Sequence, residues 1–169
     1  MDDPIPHALT ALNDAMRLLP PELDSRPARV QIITIGLQES LLRFRRQIVG
    51  GRPVGPAAGL LQFEEGGGVR GVLNHRATQL MAQNVCRARG VDPTPRAVWQ
   101  ALERDDVLAM AFGRLLLYSD PKPLPASDDV EGSWQCYLRT WRPGAVERDH
   151  DNLRAKWTRN RSVAVEAVK

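Results

Sequence analysis

Glu39 is the residue of this 169-residue chain best placed for acid–base chemistry. Around it Val30, Ile33, Leu37, Leu41 and Phe44 recur at three- and four-residue spacing, which predicts an amphipathic helix. At about 3.6 residues per turn, Glu39 shares the border of the apolar face with Ile35, Gly36, Leu42 and Arg43. A carboxyl held there is partly desolvated, so its pKa rises and it can serve as a general acid near neutral pH. Alone, a helical glutamate is more often a solvated helix former. Its pairing with a second element, Gly59-Leu60-Leu61-Gln62, changes the weighting, and Glu64 and Glu65 bear on the mechanism. A second carboxylate held within several ångströms of such an acid can activate a water molecule. Glu64 is the candidate water activator, with Glu65 pointing elsewhere. The alternative is that both bind Arg70 or solvent.

Other chemistries find little support. Gly66-Gly67-Gly68-Val69-Arg70-Gly71 fits GxGxxG, but that fingerprint needs a preceding strand and a βαβ context. Two glutamates precede it instead, and they oppose a pyrophosphate. A flexible loop serving as lid or groove rim is the expectation. His7, His75 and His150 are scattered without metal-ligand spacing, so no metal and no cofactor is expected. Cys86 and Cys136 fall at helix-core positions and read as buried free thiols, with a disulfide as the lesser option.

The elements that must position these residues are helical nearly throughout. A first helix spans about Pro6 to Leu19 and stops at Pro20-Pro21. A second starts near Ser25 with Pro27 in its first turn, and ends in Arg43, Arg45 and Arg46. Gly50–Pro56 breaks regular structure, and any small β element falls between Ile48 and Phe63. A third helix, capped by Asn74 and ended by Gly90, buries Leu80, Met81, Val85 and Cys86. Thr94-Pro95 opens a fourth with Val98, Trp99 and Leu102. The fifth, opened by Asp105 or Asp106, is apolar around most of its circumference across Val107–Tyr118, which marks a central helix. A sixth follows Ser127 with Trp134, Leu138 and Trp141. Asp149 to Val168 reads as a polar helix that frays. The fold class is thus mainly α, a single domain over 1–169 of six to seven helices around a central apolar helix, with little or no β. Residues 1–5 and about 160–169 are expected as frayed ends.

Glu39-Ser40, then a loop, then Gly59-Leu60-Leu61-Gln62 resembles the lytic transglycosylase and goose-type lysozyme branch of the lysozyme superfamily. That family carries Glu-Ser near a helix end and Gly-Leu-Met-Gln after a variable loop. Here Leu61 stands for the methionine, the loop is about five residues longer, and the usual Asn-Pro is missing. About 25 residues carry the likeness; beyond them it extends to helical architecture. The resemblance implies a lysozyme-like fold and cleavage of the bond between N-acetylmuramic acid and N-acetylglucosamine in peptidoglycan. Glu39 would protonate the glycosidic oxygen. Ser40 would orient groups near the acetamido substituent. Gly59, Leu60, Gln62 and Phe63 would line the sugar groove. A late tyrosine of the family hydrogen-bonds the glutamate; Tyr137 is its nearest counterpart, in a poorly matching segment. A transglycosylase needs no second carboxylate, since one glutamate acts as acid and then base and leaves a 1,6-anhydro product.

Charge bears on partners. The net charge is +3 and 20 of 23 cations are arginine, with a pI of about 9.2. Arginine suits carboxylate and phosphate partners. Arg43-Phe-Arg-Arg46 could bind anionic stem peptides or simply complement a helix dipole. Trp99, Trp134 and Trp141 offer sugar-stacking faces, the last two more often core. The expected partner is the peptidoglycan glycan strand, met by a monomer without membrane insertion. A basic helical nucleic-acid-binding protein is the alternative, though no recognition helix stands out and nucleic acid is not the favoured partner. A lysozyme-like domain that binds glycan without cleaving it is another. The acidic N-terminus lacks the basic and apolar regions of a secretory signal. A lysin made in the cytoplasm, released by a pore-former or carried in a phage particle, fits that expectation.

Overall fold

Helix starts follow the capping chemistry written in the chain. In the computed structural model, which describes residues 3–169, Ser25 Oγ accepts from Ala28 N at the start of α2 (Arg26–Ser40). Thr94 caps α5 (Pro95–Ala101) and Asp105 caps α6 (Asp106–Ser119) in the same way. Each side-chain oxygen takes an amide that the first helical turn leaves without a partner. The remaining helices are α1 (Ile5–Arg17), α3 (Arg70–Asn74), α4 (Gln79–Arg89), α7 (Val130–Trp141) and α8 (Val146–Ala167). Of the expected frayed N-terminus, residues 1 and 2 lie outside the described residues, and helix begins at Ile5.

The apolar girth of α6 makes it the central helix. Leu108 through Leu115 are buried, and α1, α2, α3 and α4 all pack on it. Arg114, the one charge in that run, is buried with them and donates from Nε to Leu23 O at 2.7 Å.

Four expectations are corrected. First, the glycine–proline stretch is not a plain break. Gly50 and Gly51, at φ 57° and 75°, form a two-residue turn between β1 (Arg46–Val49) and β2 (Arg52–Ala58). Positive φ at both positions is what a tight hairpin turn needs. Strand β3 (Phe63–Glu64) pairs antiparallel with Ala57 and Ala58 only, in the order β1-β2-β3. Pro53 and Pro56 are tolerated because that side of β2 has no strand beside it there. Second, α2 ends at Ser40 instead of running on through Phe44. Leu41 and Leu42 take left-handed φ of 57° and 55°, and Leu42 N donates back to Gly36 O at 3.1 Å. Gly36 has to lack a Cβ, since one there would collide with Leu42 Cδ2. Leu41 and Phe44 are consequently exposed.

Third, Asn74 ends a helix instead of opening one. His75 is extended and α4 restarts at Gln79, oriented so that Ala82, Val85 and Cys86 are buried while Leu80 is 69% exposed. Fourth, the C-terminal helix does not fray over 160–167. It lies along α2 and buries Trp157, Arg161 and Ala164. That second cover explains why α2 is buried nearly all round, including Gln31 and Thr34, where a one-sided helix was expected. Both of these buried polar side chains are paired: Gln31 donates to Ser133 O at 3.0 Å and accepts from Arg161, and Thr34 donates to Val30 O at 2.7 Å.

Candidate active site

A groove of about 1310 Å³ runs between the end of α2, the segment from β3 to α3, the end of α6 and the end of α7. Glu39, Gln62, Phe63, Glu64 and Tyr137 all line it. Glu39 reaches it because α2 stops one residue later, so the largely buried carboxyl sits at a helix end in the groove wall. Tyr137, 98 residues further along, donates its hydroxyl to Glu39 Oε1 at 2.6 Å.

Burial pushes the Glu39 carboxyl above the ordinary glutamate range. The Tyr137 hydrogen bond and the Lys156 ammonium pull the other way, and burial prevails. The Tyr137 phenol is driven far up by its own burial and by Glu39, so it remains a proton donor to the carboxylate. Its ring is clamped against Trp157, with centroids 4.5 Å apart and planes at 21°. Trp134 packs on both rings. A buried aromatic stack therefore fixes the direction of the hydroxyl.

Behind the carboxyl, α8 grips the last turn of α2. Lys156 Nζ donates to Gln38 O at 2.9 Å, Asn160 donates to Gln38 Oε1, and Gln38 donates to Leu153 O. Sequence reasoning missed this support. Its signal was the recurrence of Leu153, Trp157, Arg161, Ala164 and Val168 at three- and four-residue spacing, interrupted by the arginine.

The Gly59–Gln62 loop is tied to the helix end by Ser40. Ser40 Oγ donates to Leu60 O at 2.6 Å, and the residue is buried. Ser40, Gly59 and Leu60 do not line the groove. The substrate-binding parts expected of them are corrected to shaping the loop, because their polar and apolar atoms face inward. Gln62 takes a left-handed φ of 53°. Its amide nitrogen is held by the carbonyls of Gly59 and Phe44, at 2.9 and 3.2 Å, so Oε1 is the group it presents. Such strained positions cluster at functional sites.

Phe63 is 2% exposed and meets Trp141 with ring centroids 5.7 Å apart. Trp141 is half-buried, donates Nε1 to Leu61 O at 2.9 Å and lines the groove. Of the three candidate tryptophans it is the one with a groove-facing position. Trp134 is core, and Trp99 lies under Arg46 and Arg96. Glu64 is exposed on the rim. Glu65 turns away to Arg96, at 2.9 Å. The Gly66–Gly71 segment is a wide helical turn running into α3, not a loose loop, and it forms part of the groove wall. Arg45 and Arg46 do not end a helix: they pair with Asp106 and Glu103.

Cys86 and Cys136 are free and buried, each thiol pushed up to about 11 by burial. Among the described residues no group of three or more His, Cys, Asp or Glu is arranged to hold a metal ion, and no helix is long and apolar enough to cross a membrane. Compared with known proteins, the chain matches no family model, no curated protein and no solved structure.

Proposed function

We propose that the chain is a peptidoglycan-cleaving glycosidase with a lysozyme-like fold, acting by the lytic transglycosylase route with Glu39 as sole acid and base. The observation that carries this reading is the 2.6 Å hydrogen bond from Tyr137 to Glu39 at the wall of a groove of about 1310 Å³. The resemblance carried by Glu39-Ser40 and Gly59–Gln62 implies such a tyrosine.

The chemistry follows from the opposed influences on Glu39. Desolvation raises its pKa and so favours the protonated form that an acid requires. The proton goes to the glycosidic oxygen, the bond from that oxygen to muramyl C1 breaks, and N-acetylglucosamine leaves with a new hydroxyl. The substrate's acetamido oxygen shields C1. Glu39 is now a carboxylate, and the Tyr137 hydroxyl with the Lys156 ammonium stabilises it in that form. It takes the proton from the muramyl C6 hydroxyl as that oxygen closes on C1, giving the 1,6-anhydro product and regenerating the acid. Trp141, backed by the buried Phe63 ring, supplies an apolar face for a pyranose ring.

A hydrolytic route has one observation in its favour: Glu64 lines the same groove. Mass spectrometry of soluble muropeptides from purified peptidoglycan separates the two. Anhydro ends released by wild type, and cut by about 10²–10⁴-fold in Glu39→Gln, are expected. Reducing ends lost in Glu39→Gln would instead make Glu64 the water activator. No release by wild type would overturn the reading in favour of glycan binding without cleavage or of nucleic-acid binding.

A further inference from the structure

The groove is electrically lopsided. Glu39 and Glu64 stand in its wall near the sheet, while Asp120, Lys122, Arg139, Arg142 and Arg148 line it from the end of α6 to the start of α8. Asp120 is already neutralised, since Arg139 donates to its Oδ2 from Nη2 at 2.8 Å and from Nε at 3.2 Å. Lys122, Arg142 and Arg148 are exposed. Among the described residues none of the three enters an ion pair. The Arg142 guanidinium makes one bond, from Nε to Arg139 O at 3.3 Å. Glu147 and Asp149 flank Arg148 in sequence but do not line the groove. A cleft wall carrying like charges without counter-charges focuses potential and draws anions into it.

Resting on the glycan-cleaving reading of this groove, we propose that Lys122, Arg142 and Arg148 form a subsite for the free carboxylates of peptidoglycan stem peptides, so that the enzyme selects strands whose peptides carry free carboxylates over strands on which they are neutralised. In intact peptidoglycan the N-acetyl sugars are neutral and the muramyl lactyl carboxyls are tied up as amides to the peptides, so the backbone offers these cations nothing. The peptides branching from muramyl residues carry carboxylates, and guanidinium matches a carboxylate in shape as well as charge. A phosphodiester strand suits the groove less well, because it would run past Glu39 and Glu64 on the facing wall. The Arg43–Arg46 cluster, for which the sequence left stem-peptide binding and a helix-dipole role as alternatives, contributes no residue to the groove, and two of its arginines are held by Asp106 and Glu103.

The test compares muropeptide release from intact peptidoglycan with release from the same polymer after its free peptide carboxylates have been converted to neutral amides. Co-sedimentation of the protein with both polymers is measured alongside. Wild type is expected to favour the intact polymer by about tenfold or more at low salt, with the preference shrinking as salt screens it. Arg148→Glu and Lys122→Glu, both at exposed positions and checked for folding by circular dichroism, should bring that ratio towards one. Equal rates and equal retention on both polymers, or a preference that survives both charge reversals, would overturn the subsite and leave the Glu39 reading standing. Absence of release from either polymer would overturn the Glu39 reading, and co-sedimentation would then decide the subsite alone. Duplex DNA displacing intact peptidoglycan from the wild type, but not from the reversed variants, would also overturn it.

Discussion

Glu39 sits between two opposed demands, and its surroundings serve both. Burial favours the protonated acid, while Tyr137 and Lys156 favour the carboxylate. If Glu39 is the acid, kcat/KM falls on the alkaline side as it loses its proton. Tyr137→Phe removes a hydrogen bond that lowers the pKa, so the alkaline limb should move to higher pH while the maximum drops; a pH–rate profile checks both. Lys156→Met should shift the limb the same way, and Lys156→Arg should restore it. Stability gives an independent reading. A carboxyl raised in the fold holds a proton that the unfolded chain releases, so its contribution is fully present below the usual glutamate range. It is lost as pH rises through the folded pKa. Glu39→Gln should therefore unfold at a higher temperature than wild type, with a gap that widens from about pH 4.5 upward in thermal melts.

At the level of elements, the site depends on where α2 stops and on what lies behind it. Two consecutive leucines in the left-handed region are costly, and they persist because Leu42 fills the space over Gly36 and is 2% exposed. Gly36→Ala gains helix propensity yet forces the buried Leu42 side chain to move. The expected balance is a loss of about 1–3 kcal/mol in denaturant unfolding, with the helix end and Glu39 displaced. Helix α8 matters for the same reason. Trp157 is fully buried between Trp134 and Tyr137. Trp157→Ala should lower stability by about 3–5 kcal/mol. Trp157→Phe keeps a ring against Tyr137, so it should retain more muropeptide release than the alanine variant at a temperature where both are folded.

The whole molecule is organised around α6, and both thiols are sealed in the core that surrounds it. Cys86 and Cys136 should resist a thiol reagent under native conditions and react only as fast as the chain unfolds, which a denaturant series of labelling rates measures. Much of this architecture was legible in the chain. Ser25, Thr94 and Asp105 cap helices through contacts three residues away, and the all-round apolarity of Val107–Tyr118 admits no position but the middle. Local rules suffice there because the interactions are local or sum over one element. Glu39 could also be picked out, by its place at an apolar border and the paired motifs. What the chain alone left open depends on contacts between distant segments. The end of α2 is set by a leucine folding back on a glycine. The role of the last helix is set by its burial on α2, which its polar composition conceals. Tyr137 acquires a partner 98 residues away, and the groove's free cations come from segments that are remote in sequence from Glu39. Such pairings are decided by packing of the whole fold, where desolvation and hydrogen-bond geometry act across elements that no periodicity connects.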